Sequence, residues 1–207
     1  MDVKQLRIAF HTDNGIVAPE KAVSEAVQVA VQALAAEGAR VEEARPPGIE
    51  QTYEIYFDLF TADGGAGIES LLKDAGTNKV HPLMQQVLDL QRANGKSMSE
   101  FGALIGRWDA FRRDMLSFMQ NFDAIVCPVC AFAGMVHGST YRQLPAFSYT
   151  MTYNLTGWPG AVVRAGISPS GLPVGVQVVA APWREDIALA VAQFIENSLG
   201  GWQRPPI

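Results

Sequence analysis

The chain reads as an α/β protein, a mixed β-sheet flanked by helices, and three features of its pattern say so. A strand–helix–strand unit opens it, helical periodicity fills its middle, and two apolar strands joined by a short turn lie near its end. In the opening unit Leu6, Ile8 and Phe10 alternate with Arg7 and Ala9, the period of a strand. After the turn at Asp13-Asn14-Gly15, Pro19 sits where a first helical turn tolerates it. Val23, Val27, Ala30, Val31 and Leu34 then recur at helical spacing, and Gly38 is a natural stop. Val41 begins a second short strand, ended by Pro46-Pro47. A βαβ unit of this kind almost always crosses over right-handed and gives parallel strands.

The stretch from about 51 to 121 is expected to be helical. Residues 54–60 are bulky and mostly apolar, and Gly64-Gly65 breaks them off. A second helix is expected around Met84, Val87, Leu88 and Leu90. The strongest helical signal is the run Phe101, Leu104, Ile105, Trp108, Phe111, Met115, Phe118 and Phe122, at steps of three and four. Ser97 or Ser99 can cap it, with Glu100 at the positive end of the helix dipole. Such an aromatic stripe reads as core. In the last third, residues 124–127 form a buried strand stopped by Pro128, followed by a loop through Gly134, His137 and Gly138. Residues 161–165 and 174–179 are two strands joined across Ser168-Pro169-Ser170-Gly171, a spacing that suits an antiparallel pair. A final helix over 187–199 carries Ile187, Val191, Phe194 and Ile195 on one face and stops before Gly200-Gly201. There are no internal repeats, and the 207 residues are expected to form a single domain.

Composition narrows the function. Hydrophobic residues make up 48% and charged residues 18% of the chain, which is globular rather than disordered. The net charge of −5 and the lack of any Lys/Arg cluster interleaved with aromatics argue against nucleic acid as a partner. No apolar run approaches the ~20 residues of a membrane span, and the first residues lack a secretory h-region. Two cysteines make no disulfide framework, which suits a reducing compartment. A soluble, cytoplasmic protein is the expectation.

Few residues announce chemistry. A nucleophilic hydrolase needs an activated Ser or Cys on a tight, Gly-rich turn whose N–H groups can hold an oxyanion, and no serine here has that setting. Ser168 and Ser170 flank Pro169 in the expected hairpin turn. Asp63-Gly64-Gly65-Ala66-Gly67 lacks the lysine of a phosphate loop. Cys127-Pro128-Val129-Cys130 matches C-x-x-C, but no helix start follows to stabilise a thiolate and no second cysteine pair completes a zinc site. The two thiols read as small buried groups at a strand end. His11, His81 and His137 are scattered and read as surface or capping residues. Glu42-Glu43 and Glu185-Asp186 read as solvated faces or helix starts. No metal and no cofactor are indicated.

The last third carries a family likeness. The segment from Phe147 through Asn154, Gly157, Trp158, Pro159 and Gly160 into Ala161-Val162-Val163 resembles the stretch of amidase-signature enzymes that holds Asn, Gly, Pro and a following apolar strand. Gly171-Leu172-Pro173-Val174-Gly175-Val176-Gln177 is similar to that family's Gly-Leu-Pro-Val-x-Val-Gln strand. Ala181-Pro182-Trp183-Arg184-Glu185-Asp186 resembles the turn and helix start that follow, and Asp123-Ala124-Ile125-Val126-Cys127-Pro128 the buried strand before them. With the opening βαβ unit and the Asp63-Gly64-Gly65 break, the resemblance spans the chain, and its closest branch is that of the fatty acid amide hydrolases.

The resemblance implies the C-terminal part of the amidase-signature fold. It implies hydrolysis of carboxylic amides or esters by a Ser–cis-Ser–Lys triad whose Gly/Ser-rich segment this chain does not contain. No catalytic residue therefore carries over. By position in the family pattern, Phe60 and Thr150, and by nearness in sequence Met151 and Trp158, are candidate substrate-binding residues; core packing is the competing reading for each. The membrane-facing hairpin of the mammalian branch has no counterpart here, because Gln85, Gln86, Asp89, Gln91, Arg92 and Lys96 make that stretch too polar to insert. Half of a large α/β fold exposes the face that packs on the other half, so the isolated chain is expected to form a homo-oligomer. Three readings stand: a hydrolase fragment inactive alone, a stand-alone binding or assembly module of the same fold, and a thiol redox or metal protein using Cys127 and Cys130.

Overall fold

The computed structural model describes residues 2–204, which divide into two compact units: residues up to 52 together with those from 112 onward, and residues 53–111. The first unit holds a five-stranded sheet. Its strands are β1 (Arg7–Phe10), β2 (Arg40–Glu43), β3 (Ala124–Pro128), β4 (Gly160–Ile167) and β5 (Pro173–Ala180), in the order β2-β1-β3-β5-β4. β1 is parallel to both β2 and β3, whereas β5 is antiparallel to β3 and β4. The mixed sheet expected from the sequence is present.

Helix α1 (Lys21–Glu37) is the crossover between β1 and β2. It ends where Gly38 turns left-handed, at φ 109°, and returns its N–H to Ala35 and Leu34. Its buried face is Val23, Ala26, Val27, Ala30, Val31 and Leu34, the stripe expected from the 3.6-residue period. Pro19 lies outside the helix, before its N-cap Glu20, because the loop holds Glu20 on β3's exit through the bond from Glu20 N–H to the Ala131 carbonyl. The chain's last helix, α7 (Glu185–Ser198), packs beside α1. Together they cover Ile8, Ala124, Val126, Val174, Val176, Val178 and Ala180, one face of the sheet. Burying each Val, Leu or Ile contributes about 1.5–3 kcal/mol, so this layer dominates the unit's stability.

Strand register decides what the other face carries. Ala9 pairs with Ile125, Ile125 with Val179 and Cys127 with Gln177, and all are buried. Against that face lies a helix the sequence pattern did not announce, α6 (Ser148–Thr156), entered from a 3-10 stretch over Thr140–Phe147. Pro128 belongs to β3 rather than stopping it, as its register with Val176 shows; a terminal strand residue can dispense with the N–H.

The second unit is helical. It contains α2 (Thr52–Thr61, whose first residue belongs to the sheet unit), α3 (Ala66–Asp74), α4 (Pro82–Asn94) and the first part of α5 (Met98–Met119), the unit boundary falling within α5. The break between α2 and α3 is made by Gly64 and Gly65 at φ 64° and 91°. His81 caps α4, its Nδ1 accepting the Leu83 N–H at 3.2 Å. Ser97 and Glu100 form a reciprocal cap on α5: Glu100 Oε2 accepts the Ser97 N–H at 2.8 Å, and Ser97 Oγ the Glu100 N–H at 3.3 Å. The aromatic stripe of α5 is only partly core, since Leu104, Phe111 and Met115 are buried while Phe101 is 38% exposed.

Candidate functional site

Helix α6 is short, rich in aromatic and β-branched residues, and built from a sequence that favours strand over helix. It forms because its polar side chains are satisfied locally and across the fold. Thr150, Thr152 and Thr156 donate their hydroxyls back to the carbonyls of Phe147, Ser148 and Tyr153. Gly157, left-handed at φ 70°, closes the helix by donating its N–H to the Tyr153 carbonyl at 2.8 Å.

The rest of the helix is tied down by buried polar contacts. Asn14, wholly buried in the loop after β1, donates Nδ2 to Ser148 Oγ at 2.8 Å. The hydroxyls of Thr52 and Thr152 share a hydrogen bond of 2.9 Å. Tyr149 donates its hydroxyl to the Val17 carbonyl at 2.8 Å. From the sheet, Gln177 Nε2 donates both to the Pro128 carbonyl at 2.7 Å and to the Tyr149 carbonyl at 3.0 Å, joining β5, β3 and α6 through one amide. Cys127 Sγ and the Tyr153 hydroxyl meet at 3.5 Å. The network sits beside the carboxyl ends of β1 and β3, where ligands gather in open α/β sheets.

The titratable groups of this buried network are held neutral. Burial pushes the Cys127 thiol up to about 12 and raises the Tyr153 and Tyr149 hydroxyls above their ordinary value. A thiol so raised is no nucleophile, which opposes the redox reading of Cys127; burial also raises Cys130. Both cysteines are free, and among the described residues no three His, Cys, Asp or Glu side chains gather as metal ligands. Ser148, the serine most deeply placed in the network, faces an amide and not a base, so it lacks the partner that would activate it.

Three of the four sequence candidates belong to this neighbourhood. Thr150 is half-buried on α6. Met151 and Trp158 are 8% and 7% exposed, and the Trp158 ring lies 6.4 Å from that of Tyr153. Phe60 belongs to the helical unit. It is 41% exposed, stacks on Tyr56 and lines an open cleft of about 990 Å³ with Leu71, Met98 and Phe101. The same unit holds a charge cluster in which Asp58 receives Lys96 at 2.8 Å and Arg107 at 3.4 Å.

Sequence reasoning missed Asn14, Ser148, Tyr149 and Gln177 as a group. One signal was available: a glutamine inside the apolar run Val174–Val179 must bury its amide and find partners. It also misplaced His11, which is buried at 4% exposure rather than at the surface.

Comparison with known proteins matches residues 2–189 to the family model described as Amidase. The chain is 24% identical to fatty acid amide hydrolase 1 of Caenorhabditis elegans, an alignment covering 96% of this chain and 44% of that protein. It is 26% identical to an acylamidase of Rhodococcus erythropolis, covering 94% and 43%. The structure of 6-aminohexanoate cyclic dimer hydrolase complexed with substrate superposes with a TM-score of 0.81 at 22% identity, covering 98% of this chain and 47% of that one. The chain thus spans about half the length of the curated relatives it matches.

Proposed function

Because the chain belongs to the amidase family, we propose that it is the C-terminal, substrate-positioning part of a hydrolase of small carboxylic amides or esters, without turnover of its own. The family match over residues 2–189 carries this reading. The α6 network supports it, since its groups are neutral, paired and supply no activated nucleophile. Phe60 in the helical unit, and Thr150, Met151 and Trp158 in the sheet unit, are the residues assigned to substrate binding. Among them Thr150 and Phe60 are the most accessible, and the exposed apolar side chains around Phe60 suit an apolar acyl group.

The test is a fluorophosphonate probe on the purified chain together with a panel of amides and esters. Neither adduct nor turnover is expected. An adduct mapped to a serine of this chain, with turnover, would defeat the reading.

The 207 residues act as one folding domain in the cytoplasm; among the described residues no helix is long and apolar enough to cross a membrane. The chain self-associates through exposed apolar surface. Val162 and Ile167 of the edge strand β4, 59% and 56% exposed, support this. Light scattering on the eluting peak of a size-exclusion column is expected to give an oligomer, and a clean monomer would overturn it. The fully paired network without a nucleophile equally favours a stand-alone binding module, which predicts saturable binding of amides by this chain alone.

A further inference from the structure

Apart from the α6 network, one small cleft joins a buried ring without partners to an unpaired cation. It lies at the carboxyl ends of the parallel strands β1 and β2, has a volume of about 310 Å³ and is lined by residues 11–13 and 43–45. Crevices at the carboxyl ends of parallel strands are the places where open α/β sheets take ligands. Here His11 is only 4% exposed, and neither Nδ1 nor Nε2 has a hydrogen-bond partner. A neutral imidazole carries one donor and one acceptor, and leaving both unmet in the interior is unfavourable. Burial holds the ring in that neutral form; the Asp13 backbone, beside the ring but outside hydrogen-bond geometry, opposes it, and the nearby Arg45 charge acts in the same direction as burial.

Arg45 is the second observation. It is exposed, and among the described residues it has no carboxylate partner. Its place is set by the loop after β1. Gly15 is left-handed at φ 78°, and a Cβ there would lie 3.1 Å from Arg45 Nη1, so a side chain at this position would press on the guanidinium. Asp13 Oδ1 accepts the Gly15 N–H at 2.7 Å and fixes the turn. The Thr12 hydroxyl lines the same cleft.

We propose that this cleft binds a small monocarboxylate, gripped by the Arg45 guanidinium and receiving the His11 N–H as a second donor. A guanidinium matches a carboxylate in its planar, two-pronged geometry, and the volume lies at the small end of the range for ligand pockets. Asp13 and Glu43 line the cleft as well; their charges oppose any anion, but about twice as strongly a dianion, which favours a singly charged ligand over phosphate or sulfate. The cleft shares no lining side chain with the α6 network, although Asn14 of that network directly follows Asp13, and its acetate binding is read without any amide hydrolysis.

The probe is acetate, with propionate as a second monocarboxylate, titrated into chain labelled with nitrogen-15 at histidine, at neutral pH and constant ionic strength. The expected result is a saturable shift of the His11 ring resonances, with acetate binding weakened about tenfold or more in Arg45→Ala. Arg113→Ala, at an exposed arginine beside Asp114, is expected to bind as the parent does. Three results would each overturn the proposal: no saturable shift through the tens-of-millimolar range, a shift unchanged in Arg45→Ala, or sulfate binding more tightly than acetate.

Discussion

Removing the Gln177 amide tests whether buried hydrogen bonds, and not apolar contact alone, hold α6 to the sheet. Gln177→Leu keeps most of the side-chain volume and deletes both bonds, to the Pro128 carbonyl at 2.7 Å and the Tyr149 carbonyl at 3.0 Å. A buried acceptor left without a partner costs about 1–3 kcal/mol. The Tyr149 carbonyl also lies in the helical ladder of α6 and keeps an N–H there, so most of the penalty falls on Pro128. The expected loss is about 2–3 kcal/mol. For a chain of this length that corresponds to a fall in Tm of about 4–12 °C. Urea unfolding should show a lower midpoint with the slope unchanged. Gln177→Glu should be at least as damaging at neutral pH, because a carboxylate can only accept and would face two carbonyls. Its deficit should shrink in acid, where the protonated group regains one donor. If Gln177→Leu stays within about 0.5 kcal/mol of the parent, the range of an ordinary surface substitution, the argument fails.

Three further outcomes follow from the same structure. His11 ionises near pH 4 when folded against 6.5 unexposed to the fold, so the unfolded chain binds more protons between those values and stability should fall as pH drops through that window. Desolvation is the main cause, with Arg45 adding to it and Asp13 opposing it; the loss is about 3 kcal/mol. Urea midpoints measured against pH should show it, and a His11→Gln chain with the same slope from pH 6.5 to 4 would count against this assignment. Gly157→Ala should destabilise by about 1–2 kcal/mol, since its left-handed φ of 70° is the difficulty and a Cβ there meets nothing within 4 Å; an unchanged thermal midpoint would contradict that. Cys127 should stay unmodified by a thiol reagent in the native protein and react on unfolding, being wholly buried with its thiol pushed up to about 12. Peptide mapping that finds Cys127 labelled before Cys130 would refute it.

Much of the fold was legible because the elements that make it carry their own periodicity. Val23 to Leu34 announce the buried stripe of α1, Gly38 its end, and the alternation of Leu6, Ile8 and Phe10 the strand before it. The Ser97–Glu100 cap and the β4–β5 hairpin were equally local. Helix α6 was not, because Phe-Ser-Tyr-Thr-Met-Thr-Tyr has no apolar stripe and a composition that favours strand. Its helical state is supported by bonds to residues a hundred or more positions away, Asn14 to Ser148 and Thr52 to Thr152. The same holds for His11, whose neighbours in sequence are polar although its ring is enclosed.

The amino-acid sequence by itself determined the α/β class, the family, and the absence from these residues of a serine or cysteine in a nucleophile's setting, because each depends on short-range pattern or on residue identity. Tertiary structure alone decided which polar groups are buried, how one glutamine joins two strands and a helix, that the Cys127 thiol is held protonated, and that a histidine without partners shares a cleft with Arg45. Those are properties of distance and solvent exclusion between segments far apart in the chain, and periodicity along it carries no record of them.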